Sequence, residues 1–325
     1  MSADSQNSMA GPSRFLSIAE SDCPAHLLDL ARQQTPQAFV FVRAIGAAVL
    51  QTARDAMAAG LAQPILVGEP DIIARDAAAI GWSLDGVEIV PADGEAGAIE
   101  RAIALFAEGR VAGLVKGQLH TDVFMGGIVR RDAGIRIGNR LVHVFAMLPP
   151  AGGRALFISD AAVNVAPDIE TRSEAALHMA SMARQLGVSR PRVAVLSATE
   201  SVLPAMPSSG EAADIAARAS ARDTAADFVG PLSFDLAISP QAAAMKDVTN
   251  PVAGMADALV VPDIVSGNIL FKSLVWCAGG LAAGLVLGGA VPIVLTSRSD
   301  PPAARLASLA LAAIANQTNA VKESK

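Results

Sequence analysis

The sequence predicts an α/β protein built on a doubly wound, mostly parallel sheet, and three observations carry that expectation. Short apolar, β-branched runs of four or five residues recur along the chain, the length and make-up of strands buried on both faces. Ala-rich stretches with helical spacing lie between them, and strand and helix alternate through short connections. Many of the runs also lead into Gly, Pro or polar residues, the punctuation of strand ends and turns.

Residues 1–36 are polar, carry Pro12, Pro24 and Pro36, and read as a loose lead-in. Residues 38–42 are the first expected strand, followed by an Ala-rich helix that stops at Gly60. Residues 64–68 are the second strand, and Glu69-Pro70-Asp71 opens the next helix, with Pro pre-set for a first turn. A strand over 87–90, a helix over 95–109 and a strand over 111–115 follow, the last running into Lys116-Gly117-Gln118-Leu119-His120-Thr121-Asp122. From Leu141 the pattern resumes with strands over 142–147 and 155–159, then the turn from Asp160 to Asn164. A helix over about 170–186, a strand over 193–197 and a helix over about 211–222 come next. Strands over 258–261, 284–287 and 292–296 and a helix over 303–316 complete the chain.

At 325 residues the chain has room for two domains or one large one, and with 52% hydrophobic and 17% charged residues it has ample core material. A net charge of −6 without a Lys/Arg cluster argues against nucleic acid as a partner. Aromatics at 4% with no Tyr leave no base-stacking platform. Cys23 and Cys277 lie far apart without CxxC spacing, as in a reduced cytoplasmic protein. Cys277 falls in an apolar helix pattern and is expected in the core. The opening residues lack the apolar stretch of a secretory signal. Residues 274–296 carry no charge, but five glycines and Pro292 break them into separate short elements rather than a membrane-crossing helix.

Ligands of open α/β sheets bind beyond the carboxyl ends of the strands. Residues 258–261 lead into Pro262-Asp263 and Ser266-Gly267-Asn268, and residues 292–296 lead into Ser297-Arg298-Ser299-Asp300. These two ends are therefore expected to wall one site. Gly279-Gly280 and Gly288-Gly289 fit neither GxGxxG nor a Walker loop, so neither nicotinamide nor ATP is indicated.

Taken together and in order, these motifs resemble the phosphate acetyl/butyryltransferases. The residues that carry the resemblance are Lys116-Gly117, Asp160 to Asn164, Gly230-Pro231-Leu232 with Asp235, and Asn250-Pro251-Val252-Ala253-Gly254. Pro262-Asp263 with Gly267-Asn268 and Lys272, and Ser297-Arg298, complete the set, which spans the chain from about Ile65 onward. The resemblance implies two α/β domains with a cleft between them, in an isocitrate/isopropylmalate dehydrogenase-like fold. The first would comprise residues 37–139 plus 288–325 and the second residues 140–287. It also implies a homodimer, and reversible acyl transfer between an acyl phosphate and coenzyme A by direct attack of the CoA thiolate. CoA would be a co-substrate, with no permanently bound cofactor and no required metal. Two departures stand out: Ala304 occupies the place of the carboxylate that serves the acetyltransferase branch as thiol base, and Gly126-Gly127 stand where an Arg is often found. The sequence is similar to a branch sometimes fused behind an enoyl-CoA hydratase-like domain, which makes a hydratase-like partner worth testing.

For that reaction Arg298 is the natural phosphate clamp, with paired donors for two oxygens; the alternative is a surface Arg paired with Asp300. Ser297 can donate to a phosphoryl or carbonyl oxygen, or cap the helix that begins near Pro301. Asp300 is the candidate thiol base or a helix N-terminal charge. Gly267 and Asn268 form an anion cradle or a capping turn, with Asp263 and Lys272 close by. Lys116 can reach phosphate, Gly117 leaves room beside it, and His120 can hydrogen-bond substrate or act as a base. Asp160 and Asn164 are cleft residues or an Asx-stabilised turn. Gly230 and Pro231 are a tight turn that the resemblance places near the cleft. His26, His143 and His178 lack companions and are not expected in the site. Asp160, Asp168 and Glu170 do not make the convergent set that a hard cation needs. The competing readings are a non-catalytic CoA or acyl-phosphate binder on the same scaffold and a metal-dependent hydroxy-acid dehydrogenase of the same fold group.

Overall fold

In the computed structural model, which describes residues 16–17, 21–137, 140–296 and 300–315, the alternating runs assemble into one continuous sheet of 11 strands. After α1 (Ala25–Arg32) come β1 (Gln37–Val42), α2 (Ala47–Ala58), β2 (Ala62–Gly68), α3 (Pro70–Ala79), β3 (Glu88–Pro91), α4 (Gly94–Ala107), β4 (Gly113–Lys116) and α5 (Thr121–Val129). The middle of the chain forms β5 (Val142–Leu148), β6 (Leu156–Ser159), α6 (Ile169–Gln185), β7 (Arg192–Leu196), α7 (Pro207–Arg222) and β8 (Asp227–Leu232). It continues with α8 (Phe234–Ile238), α9 (Pro240–Met245), β9 (Ala258–Val260) and α10 (Ile264–Ala278). The chain closes with β10 (Leu281–Leu287), β11 (Ile293–Val294) and α11 (Pro302–Ala315).

The strand order is β3-β2-β1-β4-β11-β10-β5-β6-β9-β7-β8. Helices cover both faces, which is why β1 reads as an unbroken apolar run. Phe39 and Phe41 point to one side and pack with α2 and α3, while Val40 and Val42 point to the other and pack with α4 and α5. On the far half of the sheet, β5, α6, α7, α11 and α1 share one core, and β6, β9, α8 and one side of α10 share another.

Three details refine the expectations. First, the sheet is mostly parallel as expected, with antiparallel pairings of β5 with both β6 and β10 and of β10 with β11. The cause is connection length. Residues 149–155 join β5 to β6, and residues 288–292 join β10 to β11; both are too short for the crossover that a parallel pair needs. Second, the expected lead-in contains α1, whose Leu27 and Ala31 are buried in the core shared with α11. Third, Cys277 is exposed, because α10 buries only one side of an apolar sequence. Val265, Ile269 and Trp276 of α10 are each more than 60% exposed. Among the described residues, no helix is long and apolar enough to cross a membrane; α10 ends in the left-handed Gly279 before β10 begins.

One detail of the ladder matters later. β10 and β11 are joined in register at a single pair, Val286 with Ile293, whereas β10 and β5 are paired along seven residues.

Candidate functional site

The sheet sorts the predicted site residues by edge. β4 and β11 are parallel, and so are β6 and β9, but three antiparallel pairings separate the two sets. The carboxyl ends of β4 and β11 therefore leave one edge of the sheet, and those of β6 and β9 leave the other. The two ends expected to wall one site are not neighbours along an edge.

At the β4 edge Lys116 is the last residue of the strand, opposite Val42. Gly117 follows, its N–H donating to the Val42 carbonyl at 3.0 Å. A Cβ at Gly117 would stand 2.4 Å from that carbonyl oxygen, so the loop lies against the β1 end at a distance only glycine permits. Lys116, Gly117, Gln118, Thr296, Thr52 and Arg305 line a cavity of about 40 Å³. Arg305 is buried at the start of α11; its Nε donates to Thr52 Oγ1 at 2.8 Å, and Nη1 donates to the Asp300 carbonyl oxygen at 2.5 Å. Burial pulls its pKa down, against the attraction of Asp300 and Asp55. Ser297 and Arg298 lie outside the described residues.

The same edge holds a charge network that sequence reasoning missed. Arg43 follows β1 with φ of 55°, a left-handed conformation that a non-Gly residue keeps only when its surroundings hold it there. Its guanidinium donates to Glu69 Oε1 at 3.2 and 3.3 Å and to the Gln118 carbonyl at 3.2 Å, and it lies 3.5 Å from Glu95. Burial would raise Glu69, but hydrogen bonds from its own N–H, Arg43 and the Gly94 N–H hold it below the ordinary carboxylate range. Glu95 accepts from the His120 backbone N–H at 3.1 Å and lies 2.9 Å from His120 Nδ1. Those bonds hold Glu95 low as well.

At the other edge Asp160 is 2% exposed and saturated. It accepts from the N–H groups of Ala162, Val163 and His143, each at 2.9 Å, and from Asn164 Nδ2 at 2.6 Å. Asn164 also donates to the Leu141 carbonyl. Asp263 caps α10 in a capping box with Ser266. A Cβ at Gly267 would stand 2.5 Å from the Asp160 carbonyl oxygen, and Asn268 Nδ2 reaches the Ala161 carbonyl at 3.4 Å. These five residues meet, and hydrogen bonds or close backbone packing already occupy each of them. His143, set aside for want of companions, is fully buried beside Asp160. Burial drives its pKa down to about 4, with Asp160 pulling the other way.

Five further residues lie apart. Gly230 and Pro231 are inside the edge strand β8 rather than in a turn. A Cβ on Gly230 would meet the Ala212 carbonyl of α7 at 2.7 Å. Lys272 is exposed on α10, its Nζ 5.9 Å from the centre of the Phe271 ring. Asp168 caps α6, and Glu170 faces Arg218 and Arg222. The signal for the missed residues was present: Arg43 and Glu69 each follow a predicted strand directly, and Glu95 opens a predicted helix.

A family model described as Phosphate acetyl/butaryl transferase matches residues 95–313. The chain is 41% identical to a phosphate acetyltransferase of Rhizobium meliloti, over 89% of this chain and 92% of that one. It is 34% identical to a phosphate butyryltransferase of Clostridium acetobutylicum, over 82% of this chain and 89% of that one. Among solved structures it is similar to a branched-chain phosphotransacylase from Enterococcus faecalis V583, with a TM-score of 0.74 and 30% identity over 86% of this chain and 99% of that one. A 4-hydroxythreonine-4-phosphate dehydrogenase from Klebsiella pneumoniae shares the fold at a TM-score of 0.52 and 15% identity, over 86% of this chain and 99% of that one. With two thirds of its length matched by that model, the chain belongs to the phosphate acetyl/butyryltransferase family.

Proposed function

We propose that this protein is a phosphate acyltransferase that moves a short acyl group reversibly between coenzyme A and inorganic phosphate. The observation that carries the reading is the 41% identity to a phosphate acetyltransferase over 89% of the chain. The β4 edge is its chemical counterpart. There β11, which Ser297 and Arg298 follow in the sequence, lies beside β4, which ends in Lys116 and is followed by Gly117. Arg298 and Lys116 then neutralise the phosphate, Ser297 donates to the acyl or phosphoryl oxygen, and Asp300 stands in the same segment. The CoA thiolate attacks the acyl carbonyl directly, and CoA is a co-substrate rather than a resident cofactor. The reaction needs no metal.

The domain division belongs to this proposal: residues 37–139 plus 288–325 against residues 140–287, with the substrate cleft between. Sheet twist supports it. At about 20–25° per strand, the four steps from β4 to β6 turn strand directions by roughly 80–100°. Ends that leave opposite edges are thereby swung toward one side, so the second edge (Asp160, Asn164, Asp263, Gly267 and Asn268) can form the far wall. Gly230, Pro231 and Lys272 belong to the second domain's frame in this reading. The protein is cytoplasmic and dimeric, and the exposed stripe of Val265, Ile269 and Trp276 on α10 is the surface that a second copy covers. A hydratase-like partner is tested by pull-down from cell extract; recovery of none removes that part.

The test is phosphate-dependent CoA release from acetyl-, propionyl- and butyryl-CoA by wild type and Arg298→Ala. Loss of a clamp of this kind costs about 10²–10³-fold in turnover, and the preferred acyl group names the substrate. Failure of wild type with all three would leave the binding-protein reading in its place.

A further inference from the structure

We propose that His120, oriented by Glu95, is the base that takes the proton from the CoA thiol. This deepens the transferase reading and rests on it. Ala304 is a buried alanine in α11 and supplies no carboxylate, which leaves Asp300 and His120 as the candidate acceptors, and His120 is the one held on a carboxylate.

His120 is the residue immediately before α5, and its side chain is 72% exposed. Glu95, in the first turn of α4, grips it twice. It accepts the backbone N–H at 3.1 Å, and both carboxylate oxygens lie within 3.0 Å of Nδ1. An ionised carboxylate only accepts, so the ring proton sits on Nδ1 and the Nε2 lone pair points outward. The carboxylate–imidazole half of a nucleophile-activating triad works in this way.

Its place suits the reaction. Ile293 and Val294 of β11 lie opposite Leu114 and Val115 of β4. Carrying that register on sets Leu295 opposite Lys116 and Thr296 opposite Gly117, and Thr296 does line the same cavity as Lys116, Gly117 and Gln118. His120 is two residues beyond Gln118, on the edge at which the parallel strands β4 and β11 end. Of the charged groups, Glu95 on α4 contacts the imidazole, Arg43 after β1 and Glu69 after β2 lie behind Glu95 in the same network, and Asp122 follows two residues on in α5. Arg43 braces Glu95 from behind at 3.5 Å and is itself fixed by Glu69 and the Gln118 carbonyl.

In the step, His120 Nε2 accepts the S–H proton as the sulfur attacks the acyl carbonyl carbon. The C–S bond forms, the C–O bond to phosphate breaks, and phosphate departs with that electron pair. In the reverse direction the imidazolium returns its proton to the departing thiolate. Glu95 touches no substrate and is a positioning residue.

The experiment measures kcat and kcat/KM for CoA with acetyl phosphate, from pH 6.5 to 9.5, on wild type, His120→Gln and Glu95→Gln. A free thiol ionises near pH 8.5. His120→Gln should lose about 10²-fold in kcat at pH 7 and recover to within a few fold of wild type above pH 9, where CoA arrives as thiolate. KM for acetyl phosphate should stay unchanged. In Glu95→Gln the amide can donate to Nδ1 and favour the wrong tautomer, so the same pH-dependent deficit should appear at smaller size. A loss of equal size at every pH would assign His120 to binding, and full activity at pH 7 would remove it from the chemistry; either result overturns the proposal. A wild type inactive with every acyl phosphate and acyl-CoA sinks the transferase reading itself, a separate outcome.

Discussion

The two edges of the sheet carry similar residue types and treat them in opposite ways. At the β6 edge Asp160 is 2% exposed and its carboxylate already accepts four hydrogen bonds. At the β4 edge Glu69 holds the part-buried Arg43, and Glu95 holds His120, whose side chain is 72% exposed. A carboxylate with every lone pair engaged positions backbone; a carboxylate that presents an imidazole can serve chemistry. The contrast teaches that a motif at a strand end identifies a place, while the hydrogen-bond inventory identifies its task.

The contrast can be broken, and the most direct attempt is Asp160→Ala. It strands three backbone N–H groups and the Asn164 amide, so unfolding free energy should fall by about 3–5 kcal/mol, read from the urea midpoint. Unchanged stability with turnover lost would make this edge catalytic and erase the difference. A somewhat smaller effect sharpens the comparison through pH. The folded chain keeps the His143 ring neutral down to about pH 4, whereas an unfolded histidine takes a proton below about 6.5. Between those values the unfolded state binds more protons, so stability declines as pH falls. The full decline is about 3 kcal/mol. His143→Leu should flatten that part of the stability curve; an unaltered slope would show that the ring is not held neutral. The mildest probe is thiol labelling of the native protein. Cys277 is exposed, while burial pushes the Cys23 thiol up to about 11, so a dilute sample should be labelled at Cys277 alone. Protection of Cys277 should grow with protein concentration if α10 is the dimer surface, and concentration-independent labelling would move the dimer elsewhere.

Most strands and helices were legible because periodicity and turn residues are local. β5 and β10 were legible as strands but not as antiparallel ones, although the short links after each already excluded a parallel crossover. β8 was lost because Gly230-Pro231 reads as a turn, and only the closeness of α7 and β7 shows why a strand keeps glycine there. Site residues divided along the same line. Lys116, Gly117 and His120 stand at or just beyond the end of a strand and could be proposed from the sequence alone. Arg43, Glu69 and Glu95 belong to three different segments, and nothing in one segment announces its partners in the others. His143 looked solitary because its neighbour Asp160 is reached through the β5–β6 pairing, not along the chain.

The seam between β10 and β11 has a mechanical consequence. Resistance of a sheet to bending grows with the number of ladder bonds crossing a line, and here that line is crossed at one registered pair, Val286 with Ile293. The neighbouring line between β10 and β5 is crossed along seven. The sheet is therefore least tied at this strip, with two registered pairs between β11 and β4 on one side and seven between β10 and β5 on the other, and local opening begins where fewest bonds must break. Amide hydrogens beside that strip should exchange with solvent ahead of those in the strands flanking it.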